Sequence, residues 1–346
     1  MELNNLRQGI RDITTADFSG VICVYIDKNS SIIEAFGLAY RPDAIPNKPY
    51  TRFSIASGTK GFTATAIMTL IQEGQLSLDT KLFDILPDTF PNFAPEITIS
   101  HLLSHTSGVP DYFDEETMDD YEALWAQRPV YSMTQPDDFL PMFAHGHMKY
   151  TPGKRFSYSN SGYIILGLVI QKITGISYIE YVKKNVFKPA GMKYADFFRA
   201  DMLPANTATG YIKDDTGNWR SNIYSIPVVG APDGGAYVTA EDMCAFWTAL
   251  LSNKLLSKSL TKDMFEPLMQ TNDSGDPKYG YGFWITDTWE QGLTYYLVGQ
   301  DPGVSFISAY CSEISIQYTI LSNTGDGVWP IHTRLRQLIS GSRNFT

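Results

Sequence analysis

The sequence is poor in cysteine, in long apolar runs and in basic residues. Cys23, Cys244 and Cys311 are the only cysteines among 346 residues, and no C-x-x-C pair occurs. This usage argues against a disulfide framework or a zinc knuckle and indicates small buried side chains in a reducing compartment. The longest apolar run, Tyr163–Ile170, is far shorter than the roughly 18 residues that a membrane span needs. The N-terminal residues lack the features of a signal peptide, so a cytoplasmic location and no membrane span are expected.

Basic residues are outnumbered by acidic ones. Lys and Arg total 27 against 37 Asp and Glu, which gives a formal net charge of −10. Because nucleic-acid binding requires a basic face, this balance excludes a nucleic-acid partner. Hydrophobic residues make up 43% of the chain and charged residues 18%, so the chain can bury a sizeable core and is not disordered.

The distribution of strand-like and helical segments predicts an α+β protein. Strand-like runs occur near both ends of the chain: Gly20–Ile26, Ser31–Tyr40, Thr294–Gly299, Val304–Tyr310 and Ile314–Leu321. We therefore expect one antiparallel sheet built from both termini and flanked by helices, with an inserted helical region. Residues 1–346 form a single unit in this interpretation, with an α/β part of about 1–81 plus 270–346 and a helical part of about 82–269.

Several helices are recognisable from the sequence. The segment from Ser57 to Gly74 is apolar almost all round, which is typical of a buried helix. Thr239 and Asp242 form a capping box that predicts another helix, and a closing helix is expected over Val328–Ile339.

The spacing S-x-x-K occurs twice, at Ser57–Lys60 and at Ser259–Lys262. About one such match is expected by chance, so only context separates the two. Ser259 lies in a polar stretch where a helix cap explains it. Lys60, in contrast, lies one turn after Ser57 on the same side of an apolar helix, where a lysine is costly unless it has a partner. We therefore expect Ser57 to be a nucleophile that shares a proton with Lys60.

Other site signatures are absent from the sequence. It has no G-x-S-x-G, no H-E-x-x-H, no Walker A motif and no G-x-G-x-x-G. His101 and His105 have the spacing of two metal ligands, but no third ligand follows at a suitable distance. A structural pair at a helix-to-loop junction is the better interpretation, and neither a metal nor a cofactor is predicted.

The surroundings of Ser57 resemble a known family. The segments FSIASGTKGFTATAIMTLIQEGQLSLDTKL and ITISHLLSHTSGVPDY are similar to serine β-lactamases and penicillin-binding proteins, in particular to the class C and esterase-like branch. About a hundred residues later, Tyr158-Ser159-Asn160 resembles the Y-x-N motif of that family. GGAYVTAEDM and YGYGFWI follow in the family's order, so the resemblance covers nearly the whole chain. It implies the β-lactamase/transpeptidase-like fold.

The resemblance implies a mechanism that proceeds through a serine acyl-enzyme. Ser57 would be the nucleophile, and Lys60 with Tyr158 would handle the proton, the phenol being held partly ionised by the ammonium group. Asn160 would contact the substrate and steady Lys60.

The third motif of the family, K-T-G or H-x-G, is altered in this sequence. Alignment on the Gln300–Gly303 turn places Leu297-Val298-Gly299 on the motif, so that Leu297 replaces the cation. A rival alignment puts Gln300 in the place of the histidine. In either case no Lys or His meets a substrate carboxylate. The oxyanion hole should survive, because the backbone N–H groups of Ser57 and Gln300, the residue after Gly299, would form it.

The function implied by the resemblance is hydrolysis of a small ester, amide or peptide by a serine hydrolase. Because the cation of the third motif is missing, an esterase or D-amino-acid peptidase is expected rather than a true β-lactamase. The alternative is a catalytically weak or inactive protein of this fold that acts as a binding or scaffold protein.

Overall fold

The computed structural model describes residues 3–27, 30–272, 274, 276–288 and 292–340. Strands in these residues form one large sheet and three two-stranded pairs. The strands are β1 (Gly20–Asp27), β2 (Ser30–Phe36), β3 (Leu38–Tyr40), β4 (Ile45–Pro46), β5 (Phe53–Ser54), β6 (Tyr211–Lys213), β7 (Trp219–Ser221), β8 (Tyr237–Val238), β9 (Met269–Gln270), β10 (Lys278–Tyr279), β11 (Trp284–Thr288), β12 (Gly292–Asp301), β13 (Val304–Cys311) and β14 (Ile316–Ser322).

The large sheet has eight antiparallel strands in the order β2-β1-β14-β13-β12-β11-β10-β9. Strand β1 pairs with β14, with Gly20 opposite Ser322, so the two ends of the chain meet inside the sheet. All seven residues of β14 are buried because helices cover both faces of the sheet. The predicted α+β architecture with a sheet from both termini is confirmed.

Helices pack on both faces of the sheet, and further helices lie in the part of the chain between the N-terminal and C-terminal strands. They are α1 (Leu3–Ile13), α2 (Lys60–Gln72), α3 (Leu82–Ile85), α4 (Ile99–Leu103), α5 (Leu140–Phe143), α6 (Asn160–Thr174), α7 (Tyr178–Val182), α8 (Lys188–Ala190), α9 (Ala240–Leu251), α10 (Lys258–Met264) and α11 (Val328–Ser340). Helices α1 and α11 pack together on one face of the sheet, while α9 contacts β1 and β14 on the other. Helix α2 packs against α6, and both are buried along most of their length because their sequences are apolar on every side.

Local differences from the sequence prediction occur where the backbone turns. The strand expected over Ser31–Tyr40 is interrupted at Gly37, whose φ of +68° favours glycine and whose added Cβ would meet Ser19 at 2.6 to 2.7 Å. The helix expected from Ser57 begins as a 3₁₀ turn over Ala56–Thr59 and continues as α2. The capping box of Thr239 and Asp242 is confirmed at the start of α9.

Among the described residues, no single helix has both the length and the apolar composition needed to cross a membrane. A bent pair, Asn160–Thr174 with Tyr178–Ala190, meets those two criteria only when its members are taken together, and the two differ in direction by 82°.

Candidate active site

Ser57 lies in the 3₁₀ turn that leads into α2. The preceding residue, Ala56, has a φ of +45°, which is unusual for a residue with a side chain. Its carbonyl oxygen accepts hydrogen bonds from Gly235 N at 3.1 Å and from Thr59 Oγ1 at 2.8 Å, which hold the turn in place. Because the first N–H groups of a helix have no acceptor within it, the backbone N–H of Ser57 is available to a ligand.

Lys60 is fixed beside Ser57 by three polar contacts. Its Nζ atom lies 2.9 Å from Ser57 Oγ, 2.8 Å from Asn160 Oδ1 and 2.7 Å from the carbonyl oxygen of Asp233. The side chain is only 2% exposed, so these contacts replace the water that a lysine normally binds. The structure thus brings Ser57, Lys60 and Asn160 together, as the two sequence motifs predict.

Asn160 is the first residue of α6, and two neighbours cap that end of the helix. Ser159 Oγ accepts a hydrogen bond from Gly162 N, and the Asp111 carboxylate accepts from the backbone N–H groups of Asn160 at 2.7 Å and Ser161 at 2.9 Å. Burial raises the pKa of Asp111 to about 6, although these donors act in the opposite direction. The Asn160 Nδ2 atom also donates to Phe113 O at 3.3 Å, so the side chain is fixed at both ends of its amide.

Tyr158 lies between the Ser57–Lys60 pair and a group of aromatic rings. Lys60 Nζ is 4.8 Å from the centroid of its ring, and the Ser57 hydroxyl is close enough to influence its phenol. Burial raises the pKa of the Tyr158 phenol well above its usual value, the charge of Glu115 adds to this effect, and the Ser57 hydroxyl opposes it. This direction favours the protonated phenol, in contrast to the expectation that Lys60 holds it partly ionised.

The two histidines of the S-H-L-L-S-H segment have different surroundings. His101 caps α4, where its Nδ1 atom accepts a hydrogen bond from Thr98 N at 3.2 Å, as expected for a structural residue. The ring of His105 instead lies 4.4 Å from the ring of Tyr158, centroid to centroid. Sequence reasoning treated the two alike and missed this contact.

Strand β12 passes directly beside the Ser57 turn at Gly299. A Cβ atom added to Gly299 would lie 2.1 Å from Ile55 O and 2.8 Å from Ser57 N, so only glycine permits this approach. The side chain of the next residue, Gln300, donates to Gly325 O at 2.7 Å. Leu297 is 2% exposed and packs against Gly61, so its side chain belongs to the core rather than to the wall of the cleft.

A cleft of about 720 Å³, including its mouth, opens beside Ser57. Five aromatic residues contribute to its wall: Tyr112, Phe113, Tyr121, Phe198 and Tyr237. Three carboxylates also line it: Glu115, Asp233 and Asp301. Among the described residues of this wall there is no Lys, Arg or His, and Lys60 contacts Ser57 at its base.

The carboxylates of the cleft affect one another. Burial and the charge of Asp233 raise the pKa of Asp301 to about 7, while Lys60 acts in the opposite direction. Burial also raises the pKa of Asp233, whose carboxylate accepts a hydrogen bond from Tyr112 Oη. Sequence reasoning missed these residues because they come from loops and strand ends that carry no periodic pattern.

Comparison with known proteins supports the resemblance in the sequence. The family model described as Beta-lactamase matches residues 7–340. PbpX of Bacillus subtilis (strain 168), a penicillin-binding protein by name, is 28% identical over 328 residues, which cover 93% of this chain and 75% of PbpX.

Solved structures of known proteins are also similar to this chain. A penicillin-binding protein from Bacillus halodurans is 43% identical and superimposes with a TM-score of 0.89 over 97% of this chain and 100% of its own. The D-amino acid amidase from Ochrobactrum anthropi SV3, at 22% identity, has a TM-score of 0.82 over 99% of both chains and supports the fold alone. The chain therefore belongs to the beta-lactamase family, a family of serine hydrolases.

Proposed function

We propose that this protein hydrolyses small esters or amides through an acyl-enzyme on Ser57, and that it prefers acyl groups with a free ammonium group to β-lactams. The observation that carries the proposal is the contact of Ser57 Oγ with Lys60 Nζ at 2.9 Å, in a turn that borders a cleft. A serine hydroxyl is a weak nucleophile until a neighbouring base takes its proton, and this contact provides the base.

Lys60 is suited to receive the proton of Ser57. Two of its three partners, Asn160 Oδ1 and the Asp233 carbonyl oxygen, can only accept hydrogen bonds, whereas the hydroxyl of Ser57 can also donate. To act as the base, Lys60 must be uncharged when Ser57 attacks; its amine then donates to the two acceptors and turns its lone pair towards Ser57. Attack of Ser57 Oγ on the substrate carbonyl carbon then transfers the hydroxyl proton to Lys60.

Tyr158 is suited to protonate the leaving group. Its phenol lies beside Ser57, and burial, which raises its pKa, favours the protonated form. When the carbon–oxygen or carbon–nitrogen bond of the tetrahedral intermediate breaks, Tyr158 gives its proton to the departing group. Lys60 then returns its proton to Tyr158, which leaves an acyl-enzyme and restores both side chains. In deacylation, water attacks the acyl carbonyl carbon while Tyr158 and Lys60 take its proton. The proton then passes to Ser57 Oγ as the acyl group leaves as a carboxylic acid.

The backbone N–H groups of Ser57 and Gln300 would stabilise the oxyanion. The first belongs to the start of a helix, and the second follows Gly299, where strand and turn come closest. Gly299 is essential to this arrangement because any side chain there would push β12 away from the Ser57 turn.

The charge of the cleft supports the substrate preference. A β-lactam brings a carboxylate into a wall that carries Glu115, Asp233 and Asp301, whereas an aminoacyl ester or amide brings an ammonium group. The aromatic wall suits a large acyl side chain. The D-amino acid amidase with the same fold acts, by its name, on D-amino acid amides, so D-aminoacyl amides are the first substrates to examine.

Labelling with a fluorophosphonate probe tests the nucleophile. In this reaction Ser57 Oγ forms a bond to phosphorus and fluoride leaves, so the protein gains the mass of the phosphonyl group. We expect labelling of the wild type and of Ser259→Ala, the variant of the exposed second S-x-x-K serine, but not of Ser57→Ala. An unlabelled wild type, or equal labelling of Ser57→Ala, would contradict the proposal and favour the inactive scaffold.

A panel of chromogenic substrates tests the preference. D-phenylalanine p-nitroanilide, its N-acetyl derivative, p-nitrophenyl acetate and a chromogenic cephalosporin differ in the charge of the acyl part. We expect the highest kcat/KM among the amides for the free ammonium compound, and weak or absent turnover of the cephalosporin. Efficient cephalosporin hydrolysis would overturn the preference while leaving the acyl-enzyme mechanism intact.

A further inference from the structure

His105 is a buried polar residue in an unusual backbone conformation beside Tyr158. It follows α4 with a φ of +57°, and only 1% of it is exposed. Its ring lies 4.4 Å from the ring of Tyr158, 4.7 Å from Tyr279 and 5.0 Å from Tyr163, measured between centroids. A residue with a side chain enters the left-handed region at a cost in free energy, so the surrounding contacts must hold it there.

Two hydrogen bonds connect His105 to the peptide groups on either side of Tyr158. Its carbonyl oxygen accepts from Ser157 N at 2.9 Å, and its Nδ1 atom accepts from Ser159 N at 3.0 Å. One residue therefore holds the backbone before and after Tyr158, while its ring packs against the Tyr158 ring.

The imidazole is neutral and has one tautomer. Because Nδ1 accepts a hydrogen bond, the ring proton lies on Nε2. Burial lowers the pKa of His105 well below its usual value, and the charge of Lys60 lowers it further. The Nε2 atom is buried without a hydrogen-bond partner among the described residues, an arrangement that destabilises a protein. An apolar ring would avoid this cost but could not accept the hydrogen bond of Ser159.

We propose that His105 is a positioning residue for Tyr158, and that its Nδ1 atom and carbonyl oxygen fix the peptide groups beside Tyr158 so that the phenol stays beside Ser57. This inference rests on the proposed role of Tyr158 in proton transfer. A displacement of about 1 Å at a reacting group can lower a rate by about 100-fold, so a clamp on the backbone of Tyr158 has a large effect on turnover.

Two substitutions separate the hydrogen bond from the packing. His105→Phe keeps a flat ring but cannot accept from Ser159, whereas His105→Asn places an amide oxygen near the Nδ1 position and tolerates positive φ. With p-nitrophenyl acetate we expect kcat of His105→Phe to fall by about 10- to 100-fold with KM within about threefold, and His105→Asn to recover most of the loss. Equal losses in both variants, or wild-type kcat in His105→Phe, would overturn the inference.

His101→Phe is the matched control. His101 also accepts a backbone hydrogen bond through Nδ1, but at the start of α4 rather than beside Tyr158. We expect this variant to lose some stability without a change in kcat.

A double-mutant cycle with Tyr158→Phe distinguishes positioning from a general structural effect. If His105 acts through Tyr158, adding His105→Phe to Tyr158→Phe lowers kcat by less than threefold, because the group that it positions is already gone. Losses that multiply would show that His105 acts independently of Tyr158 and would overturn the inference.

Nitrogen NMR of histidine-labelled wild-type protein gives a readout that does not depend on the activity of any variant. We expect one histidine with a protonated Nε2 and an unprotonated Nδ1 whose signals do not titrate between pH 5 and 8 and disappear in folded His105→Asn or, if that variant does not fold, in His105→Gln. The opposite tautomer, or titration in this range, would overturn the inference. A wild type that fails to react with fluorophosphonate would instead count against the proposed function.

Discussion

Asp301→Asn is expected to stabilise the protein while weakening its preference for cationic substrates. Asp301 lies at the end of β12 in the wall of the cleft, where burial and the charge of Asp233 raise its pKa from 3.8 to about 7. The folded protein therefore binds a proton at Asp301 that the unfolded chain releases between about pH 4 and pH 7. Stability must fall as pH rises through this window, because the folded state binds more protons than the unfolded state.

The size of the effect follows from the shift in pKa. A shift of about three units corresponds to about 4 kcal/mol at most, lost in full only above pH 7. Asparagine imitates the protonated acid and does not incur this loss. We expect the gain in the free energy of unfolding of Asp301→Asn over the wild type to be larger at pH 8 than at pH 5 by about 2 to 3 kcal/mol. Part of this gain arises because Asp233 also loses a neighbouring charge.

The activity of Asp301→Asn towards cationic substrates should fall, although its stability rises. A substrate ammonium group about 6 Å from the Asp301 carboxylate, at an effective dielectric constant of about 20 to 40, gains about 1.5 to 3 kcal/mol. Loss of that charge should lower kcat/KM for D-phenylalanine p-nitroanilide by about 10- to 100-fold. The N-acetyl derivative, which carries no charge, should change by less than about threefold.

Urea denaturation at pH 5 and pH 8, together with steady-state kinetics on the two anilides, measures both effects. Asp43→Asn is the control, because Asp43 is exposed and lies outside the cleft. The reasoning is refuted if Asp301→Asn gains the same stability at both pH values, or if it slows the charged and uncharged anilides equally.

Tyr158→Phe should lower kcat for p-nitrophenyl acetate by about 10²- to 10⁴-fold, the usual range for general acid–base catalysis, and a variant within a few-fold of wild type would leave Lys60 as the sole proton-transfer group. Gly299→Ala should slow fluorophosphonate labelling at least tenfold, because its Cβ would lie 2.1 Å from Ile55 O. Labelling of this variant at the wild-type rate would show that the close contact between β12 and the Ser57 turn has no role in the reaction. A chromogenic cephalosporin should be turned over at least tenfold less efficiently than p-nitrophenyl acetate at pH 8, and equal efficiency would show that another cation meets its carboxylate.

Much of the fold could be predicted because its strands and helices have strong local patterns. The apolar run in β14 and the capping box before α9 are visible without any knowledge of tertiary contacts, and both are found as expected. The boundaries were less predictable where the backbone needs a special conformation. The turn at Ala56 is one example, because its φ of +45° is held by the Gly235 N–H, which is distant in sequence.

The candidate site was predictable only in part, because some of its contacts join residues that are distant in sequence. Ser57 and Lys60 are one turn apart, so their spacing permits the contact, and the apolar context of Lys60 distinguishes this pair from Ser259 and Lys262. Tyr158 and Asn160 were identified through the resemblance to a family, since nothing local connects residue 158 to residue 57. The third-motif residue Leu297 shows a limit of alignment: the turn length predicts its position, but its burial against Gly61 could only come from packing.

The carboxylates of the cleft show why composition alone could not indicate the substrate. A net charge of −10 fits any soluble acidic protein, and most acidic side chains lie on the solvent-exposed surface. Asp233 and Asp301 differ because burial raises their pKa values, so each ionised carboxylate costs stability in the free protein. A bound ammonium group would offset that cost, whereas a bound carboxylate would add to it. The proposed preference for cationic acyl groups and the expected loss of stability at high pH would therefore have one physical origin, and Asp301→Asn should remove both together.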